Sequence, residues 1–131
     1  MKQYQFMFSY ERLVGNDVEN TFGSLSAKLK NAGYIVLSFV DVKEILTKNF
    51  GGDHPGYYIL NVCKPPAARD LIGENEDMGL LLPCKIVLIE KGEKTRVMML
   101  RVSELAQKYL GSDGKKAMVY EEELISVLDN L

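Results

Sequence analysis

The feature that most limits the fold is a pair of apolar stretches past the middle of the chain. Leu80–Glu90 and Thr95–Arg101 are rich in Leu, Ile, Val and Met, and Lys91-Gly92 between them is a turn. Strands joined this closely must pair antiparallel, because a parallel crossover needs a dozen or more residues. Pro83 interrupts the first stretch. It has no N–H to give to a ladder, so it marks an edge, a bulge or a strand start. A sheet built on this hairpin is antiparallel or mixed.

The other elements follow from periodicity and caps. Residues 3–8 alternate, with Tyr4, Phe6 and Phe8 on one face of a strand. Gly15-Asn16-Asp17 opens a helix. Asn16 and Glu19 have capping-box spacing, and Asp17 is a second cap candidate. Val18, Phe22, Leu25, Leu29 and Ala32 then recur at helical spacing, and Gly33 suits the left-handed position past the helix end. Tyr34–Val40 reads as the second strand. Asp41-Val42-Lys43-Glu44 caps a short helix with Ile45 and Leu46 inward, stopped by Gly51-Gly52. In a third strand, Tyr57–Cys63, the residues Tyr57, Ile59, Asn61 and Cys63 face one way, and Tyr58, Leu60 and Val62 the other. Pro65 and Pro66 can start a helix, which runs to Ile72 and stops at Gly73, before a polar loop Asn75–Gly79. Ser103 can cap a short helix ending near Gly111, and the tail from Lys115 sets Val119, Leu124, Leu128 and Leu131 on one helical face. The order predicts an α+β fold over residues 1–131 as a single domain, with a mixed or antiparallel sheet covered on one face by helices.

Charge and hydropathy exclude several functions. Sixteen Lys+Arg against eighteen Asp+Glu leave a net charge of -2, which argues against a dedicated nucleic-acid binder. No apolar run approaches the roughly 20 residues of a membrane span, and the opening MKQYQFMFSYER is too polar for a signal peptide. A cytoplasmic protein with no membrane partner is expected. Its two cysteines are then expected as free thiols.

Those cysteines, Cys63 in ILNVCKPP and Cys84 in LLLPC, each sit where an apolar strand meets proline. Cys63 precedes Lys64 and a helix start, and both the cation and the helix N-terminus lower a thiol pKa. The plainer reading is a small buried hydrophobe at a strand end. The matched contexts predict adjacent strand ends, with Cys63 the more reactive thiol and no disulfide. Twenty-one positions separate the two, so they are not a Cys-x-x-Cys redox motif. A closed zinc site needs four ligands, and His54, the sole histidine, is poorly supported as a third; no metal is expected. His54 belongs to the turn Asp53-His54-Pro55-Gly56, where it reads as a solvated loop residue or a general base. No phosphate-loop pattern occurs and no cofactor is implied. Glu121-Glu122-Glu123 reads as a solvated helix face.

Three segments together carry a family resemblance. Asp41-Val42-Lys43, Tyr58-Ile59-Leu60 with Cys63, Pro65 and Ala68, and Gly79-Leu80-Leu81-Leu82-Pro83-Cys84 resemble the domain of unknown function 302 family over nearly the whole chain. The resemblance implies a β-α-β(4)-α domain of TATA-binding-protein-like shape, in a small soluble prokaryotic protein that is often dimeric. It implies no activity. Lys64 stands where relatives usually carry asparagine, and Gly56 where they commonly carry a second proline. Fold alone does not license DNA binding.

Three functions remain open. The first is a homodimeric ligand-binding or interaction module with a small-molecule pocket near Cys63 and Cys84, because strand ends broken by proline leave backbone groups free to face a ligand. The second is a thiol-dependent enzyme or redox sensor using the same cysteines. The third is a purely structural dimer. Cys63, Cys84, Lys64, His54 and Asp41 are the candidate pocket or reactive residues.

Overall fold

The computed structural model describes residues 7–131. Its elements are β1 (Ser9–Val14), α1 (Val18–Asn31), β2 (Ile35–Asp41), α2 (Val42–Phe50), β3 (Tyr57–Cys63), α3 (Pro65–Glu74), β4 (Cys84–Lys91), β5 (Lys94–Leu100), α4 (Val102–Tyr109) and α5 (Lys115–Asp129). A short 3-10 turn, Glu76–Leu80, lies between α3 and β4. The fold is α+β, and all five strands form one antiparallel sheet in the order β1-β5-β4-β3-β2.

The β4–β5 hairpin is the centre of that sheet, as its apolar content requires. Ile86 pairs with Met99 and Leu88 with Val97, and all four are buried. Leu60 and Val62 of β3 extend the buried face on one side, and Val14 of β1 on the other. Leu25 and Leu29 of α1 and Leu124, Ile125 and Leu128 of α5 close over it as the main core. A smaller cluster, Leu71, Met78, Val102, Ala106 and Ala117, gathers α3, α4 and the start of α5. Cys84 packs against both clusters. The opposite sheet face carries Leu13, Ile59, Val87, Met98 and Leu100, half-buried or exposed.

Several expectations are corrected. The strand expected at 3–8 falls mostly on residues outside the described part, and Met7 and Phe8 are not strand; β1 begins at Ser9. Alternation continues through Tyr10, Arg12 and Val14, and a period of two does not mark its own ends. Ile45 is half exposed and no residue of α2 is buried, because α2 touches β3 without entering either core cluster. Val119 is exposed. The buried face of α5 is Ala117, Glu121, Leu124, Ile125 and Leu128, a phase hidden by the charge at its centre. The helix expected to stop at Gly73 continues to Glu74, and the polar loop after it is the 3-10 turn, capped by Asn75. Leu80 is exposed, and β4 starts only at Cys84, after a cis Leu82–Pro83 bond.

Candidate functional site

The β3–β4 register sets Val62 opposite Cys84, so the cysteines sit at adjacent strand ends. Both are free. They occupy successive pleat positions with respect to that register, so their Cβ vectors do not converge as a disulfide requires. Proline acts differently at the two places. Pro65 and Pro66 take the first turn of α3, where their missing N–H costs nothing. Pro83 ends the irregular segment before β4.

A cavity of about 50 Å³ opens beside these strand ends. Val62, Ala67, Leu71 and Leu124 give it apolar walls, and Cys63, Cys84, Lys64 and Glu121 add its polar groups. Lys64 is held at the rim. Its Nζ lies 2.6 Å from Glu123 Oε2, and 5.3 and 5.9 Å from the ring centres of Tyr34 and Tyr120. Its stem crosses Gly33, where an added Cβ would come within 3.4 Å of Lys64 Cε. Tyr34 is buried and donates to the Tyr120 carbonyl at 3.1 Å. Burial first, then the charge of Glu123, pushes the Tyr34 hydroxyl above the usual tyrosine range.

Behind the cavity lies a buried ion pair that the sequence reading did not anticipate. Glu121, read as part of a solvated face, is 3 % exposed, and Arg101 is 1 % exposed. Arg101 Nε donates to Glu121 Oε2 at 3.3 Å, and the Ser103 hydroxyl donates to the same oxygen at 2.6 Å. The Ser103 amide reaches Oε1 at 3.3 Å, and Arg101 Nη1 donates to the Met7 carbonyl at 3.0 Å. Ser103 therefore serves the carboxylate, and α4 starts at Val102 with no side-chain cap. Burial raises the Glu121 pKa, opposed by the Ser103 and Arg101 contacts. Burial, with Glu121 as the next cause, pushes the Cys84 thiol up to about 12. At neutral pH that thiol is protonated and a poor nucleophile.

The other two candidates lie elsewhere. Asp41 pairs with Tyr58 across the β2–β3 ladder, five residues from Cys63, or about 17 Å along the strand. It caps α2 by accepting from the Glu44 amide at 2.9 Å. His54 Nε2 lies 2.8 Å from the Gly51 carbonyl, within its own loop. Cys63, Cys84 and Lys64 are brought together; His54 and Asp41 are not among them. Two signals pointed to the missed groups. Arg101 continues the core-facing alternation of Thr95, Val97 and Met99, and Glu121 lies four residues from both Ala117 and Ile125.

Among the described residues, no group of three or more His, Cys, Asp or Glu is placed to hold a metal, and no helix is long and apolar enough to cross a membrane. The family described as "Domain of unknown function DUF302" matches residues 10–131. The crystal structure of an uncharacterized conserved DUF302 protein from Bacillus stearothermophilus superposes with a TM-score of 0.87 at 29% identity, covering 94% of this chain and 97% of that one. No curated protein matches the chain.

Proposed function

The chain belongs to the DUF302 family, a domain of unknown function, and from that premise we propose a homodimeric binding module whose ligand enters the cavity at Cys63 and Cys84. The observation that carries this reading is the cavity itself: apolar walls from β3, α3 and α5 enclose a space that Cys63, Cys84 and the buried Glu121 also line. Apolar walls with a few polar groups are the make-up of ligand sites, here at a size well below the roughly 300–1,000 Å³ of a drug-sized pocket. Its size sets the ligand. About 50 Å³ is less than twice a water's share of about 30 Å³, so the occupant is a very small, largely apolar group or the end of a longer molecule.

The polar groups already have partners. Glu121 is held by Arg101 and Ser103, and Lys64 by Glu123. They shape the cavity and favour binding over turnover. The thiol-enzyme alternative loses Cys84 as a nucleophile, since its thiol stays protonated until about pH 12. It would rest on Cys63 alone.

The dimer is supported by the uncovered sheet face, where Leu13, at 58 % exposure, lies with Val87 and Met98. The Arg96–Glu11 ion pair runs between these apolar side chains, a mixed surface of the composition found at non-obligate interfaces. Light scattering should give twice the chain mass, and Val87→Asp should give the monomer mass. A wild-type monomer at high concentration contradicts the dimer.

The ligand is tested by native mass spectrometry and thermal shift against short-chain alcohols, thiols and carboxylic acids. Ala68 is half-buried at the cavity wall. Ala68→Phe should abolish binding with circular dichroism unchanged. Equal binding by wild type and variant, or no binding by either, contradicts the reading.

A further inference from the structure

At the opposite end of β3 from the thiols lies a second pocket of different chemistry. It is lined by Val18, Glu19 and Phe22 of α1, Phe39 of β2 and Tyr58 of β3. The three rings form a continuous wall. Phe22 and Phe39 meet at 4.9 Å between ring centres, tilted by 59°, and Phe39 and Tyr58 stack at 5.3 Å and 16°. Phe39 is 44 % exposed although it stands on the covered face of the sheet, so helix α1 leaves it open. The space is about 190 Å³, roughly six times a water's share of about 30 Å³.

The charges that act on Tyr58 are of one sign. Burial raises the Tyr58 pKa, and the next causes are three carboxylates, Asp41, Glu90 and Glu19. Asp41 pairs with Tyr58 across the ladder, and Glu90 accepts from the Gly56 amide at 3.1 Å. Glu19 is exposed on the first turn of α1. Asp17 caps the N-terminus of α1 and Asp41 that of α2, which offsets the partial positive charge of those helix ends. The balance stays negative.

An aromatic wall in a negative field attracts a cation through the ring quadrupole. Carbon walls offer few oxygen ligands to a hydrated metal ion, which prefers several. We propose that this pocket binds a small free alkylammonium ion, seated on Phe22, Phe39 and Tyr58, with Glu19 in its wall and Asp41 and Glu90 acting on it from beside Tyr58. The site is separate from the thiol cavity and does not depend on it.

The probe is choline chloride titrated into the full chain at constant ionic strength, with its N-methyl proton resonance followed by NMR. The control is 3,3-dimethylbutanol, which has the same shape and no charge. Saturable binding is expected, with the N-methyl signal moved upfield by the rings. Phe39→Leu keeps apolar volume and should weaken binding about fivefold, the loss of about 1 kcal/mol of ring attraction. Glu19→Gln, at an exposed site that carries no core packing, should weaken it about twofold. The neutral analogue should bind at least fivefold more weakly than choline. Equal binding of the two overturns the proposal, as does the absence of saturation, or full affinity in Phe39→Leu.

Discussion

The two ends of strand β3 handle charge in opposite ways. At the Cys63 end, Glu121 and Arg101 are buried and bonded to each other and to Ser103, and Lys64 is clasped by Glu123 and two rings. At the Tyr58 end, Glu19 lines an open aromatic wall, and the charges that act on Tyr58 are the carboxylates of Asp41, Glu90 and Glu19. Burial makes the difference. A buried charge without a partner costs several kcal/mol, so the first end can exist only fully paired. An exposed charge is screened by water, so the second end can leave its carboxylates unopposed. Charge thus acts structurally at the first end and is available to a ligand at the second.

The largest expected effect breaks the pairing at the first end. Glu121→Gln keeps the shape and leaves Arg101 charged and buried, so urea unfolding should show a loss of about 3–5 kcal/mol. The double variant Arg101→Met/Glu121→Leu, which removes both charges, should recover most of that loss. A single variant as stable as wild type would remove the contrast between the two ends.

Next is Gly114, which caps α5 at a φ of 72°. An added Cβ would lie 2.9 Å from the Ser103 carbonyl oxygen and 2.8 Å from Gln107 Nε2. Gly114→Ala therefore combines left-handed strain with a backbone clash next to the ion-pair network, and about 1–3 kcal/mol should be lost in the same assay.

A smaller effect belongs to the second end. Asp41→Ala removes the cap of α2 and should cost about 1 kcal/mol. No buried partner is orphaned, so it stays well below the cost of Glu121→Gln. Equal losses would mean that burial does not separate the two ends.

The remaining comparison is in pH dependence. The Cys84 pKa is higher folded than unfolded, so the folded state holds that proton more tightly. Its contribution to stability is complete below about pH 9 and is lost as pH rises toward about 12. Tyr34 acts in the same direction. Urea midpoints measured from pH 8 to 11 should fall, and fall less steeply in Cys84→Ala. The same slope in both proteins would contradict the buried thiol.

The outline of the fold was legible because its strong signals are local. The hairpin turn, the Asp41 cap, Gly33 and the Pro65-Pro66 helix start depend on neighbours in sequence, and each stands where expected, while α1 is capped by the second candidate Asp17 and not by Asn16 with Glu19. The meeting of Cys63, Lys64 and Cys84 was legible from their matched strand ends. What stayed hidden is long-range. Glu121 looked solvated because its partner, Arg101, is twenty residues away on another element. Ile45 and Val119 looked inward because periodicity gives a helix an apolar side without saying what covers it. The Tyr58 pocket joins α1, β2 and β3, and no segment of sequence contains it.

The proposed function stands or falls on a ligand entering the cavity at Cys63 and Cys84. The most direct measurement is a two-dimensional NMR titration of the isotope-labelled protein with a panel of short-chain fragments. A bound fragment should shift the amides of Val62, Ala67, Ala68, Ala117 and Leu124 together, and Ala68→Phe should silence all five. Fragments that shift none of these amides, or shift them unchanged in Ala68→Phe, would contradict the assignment of the cavity as a binding site.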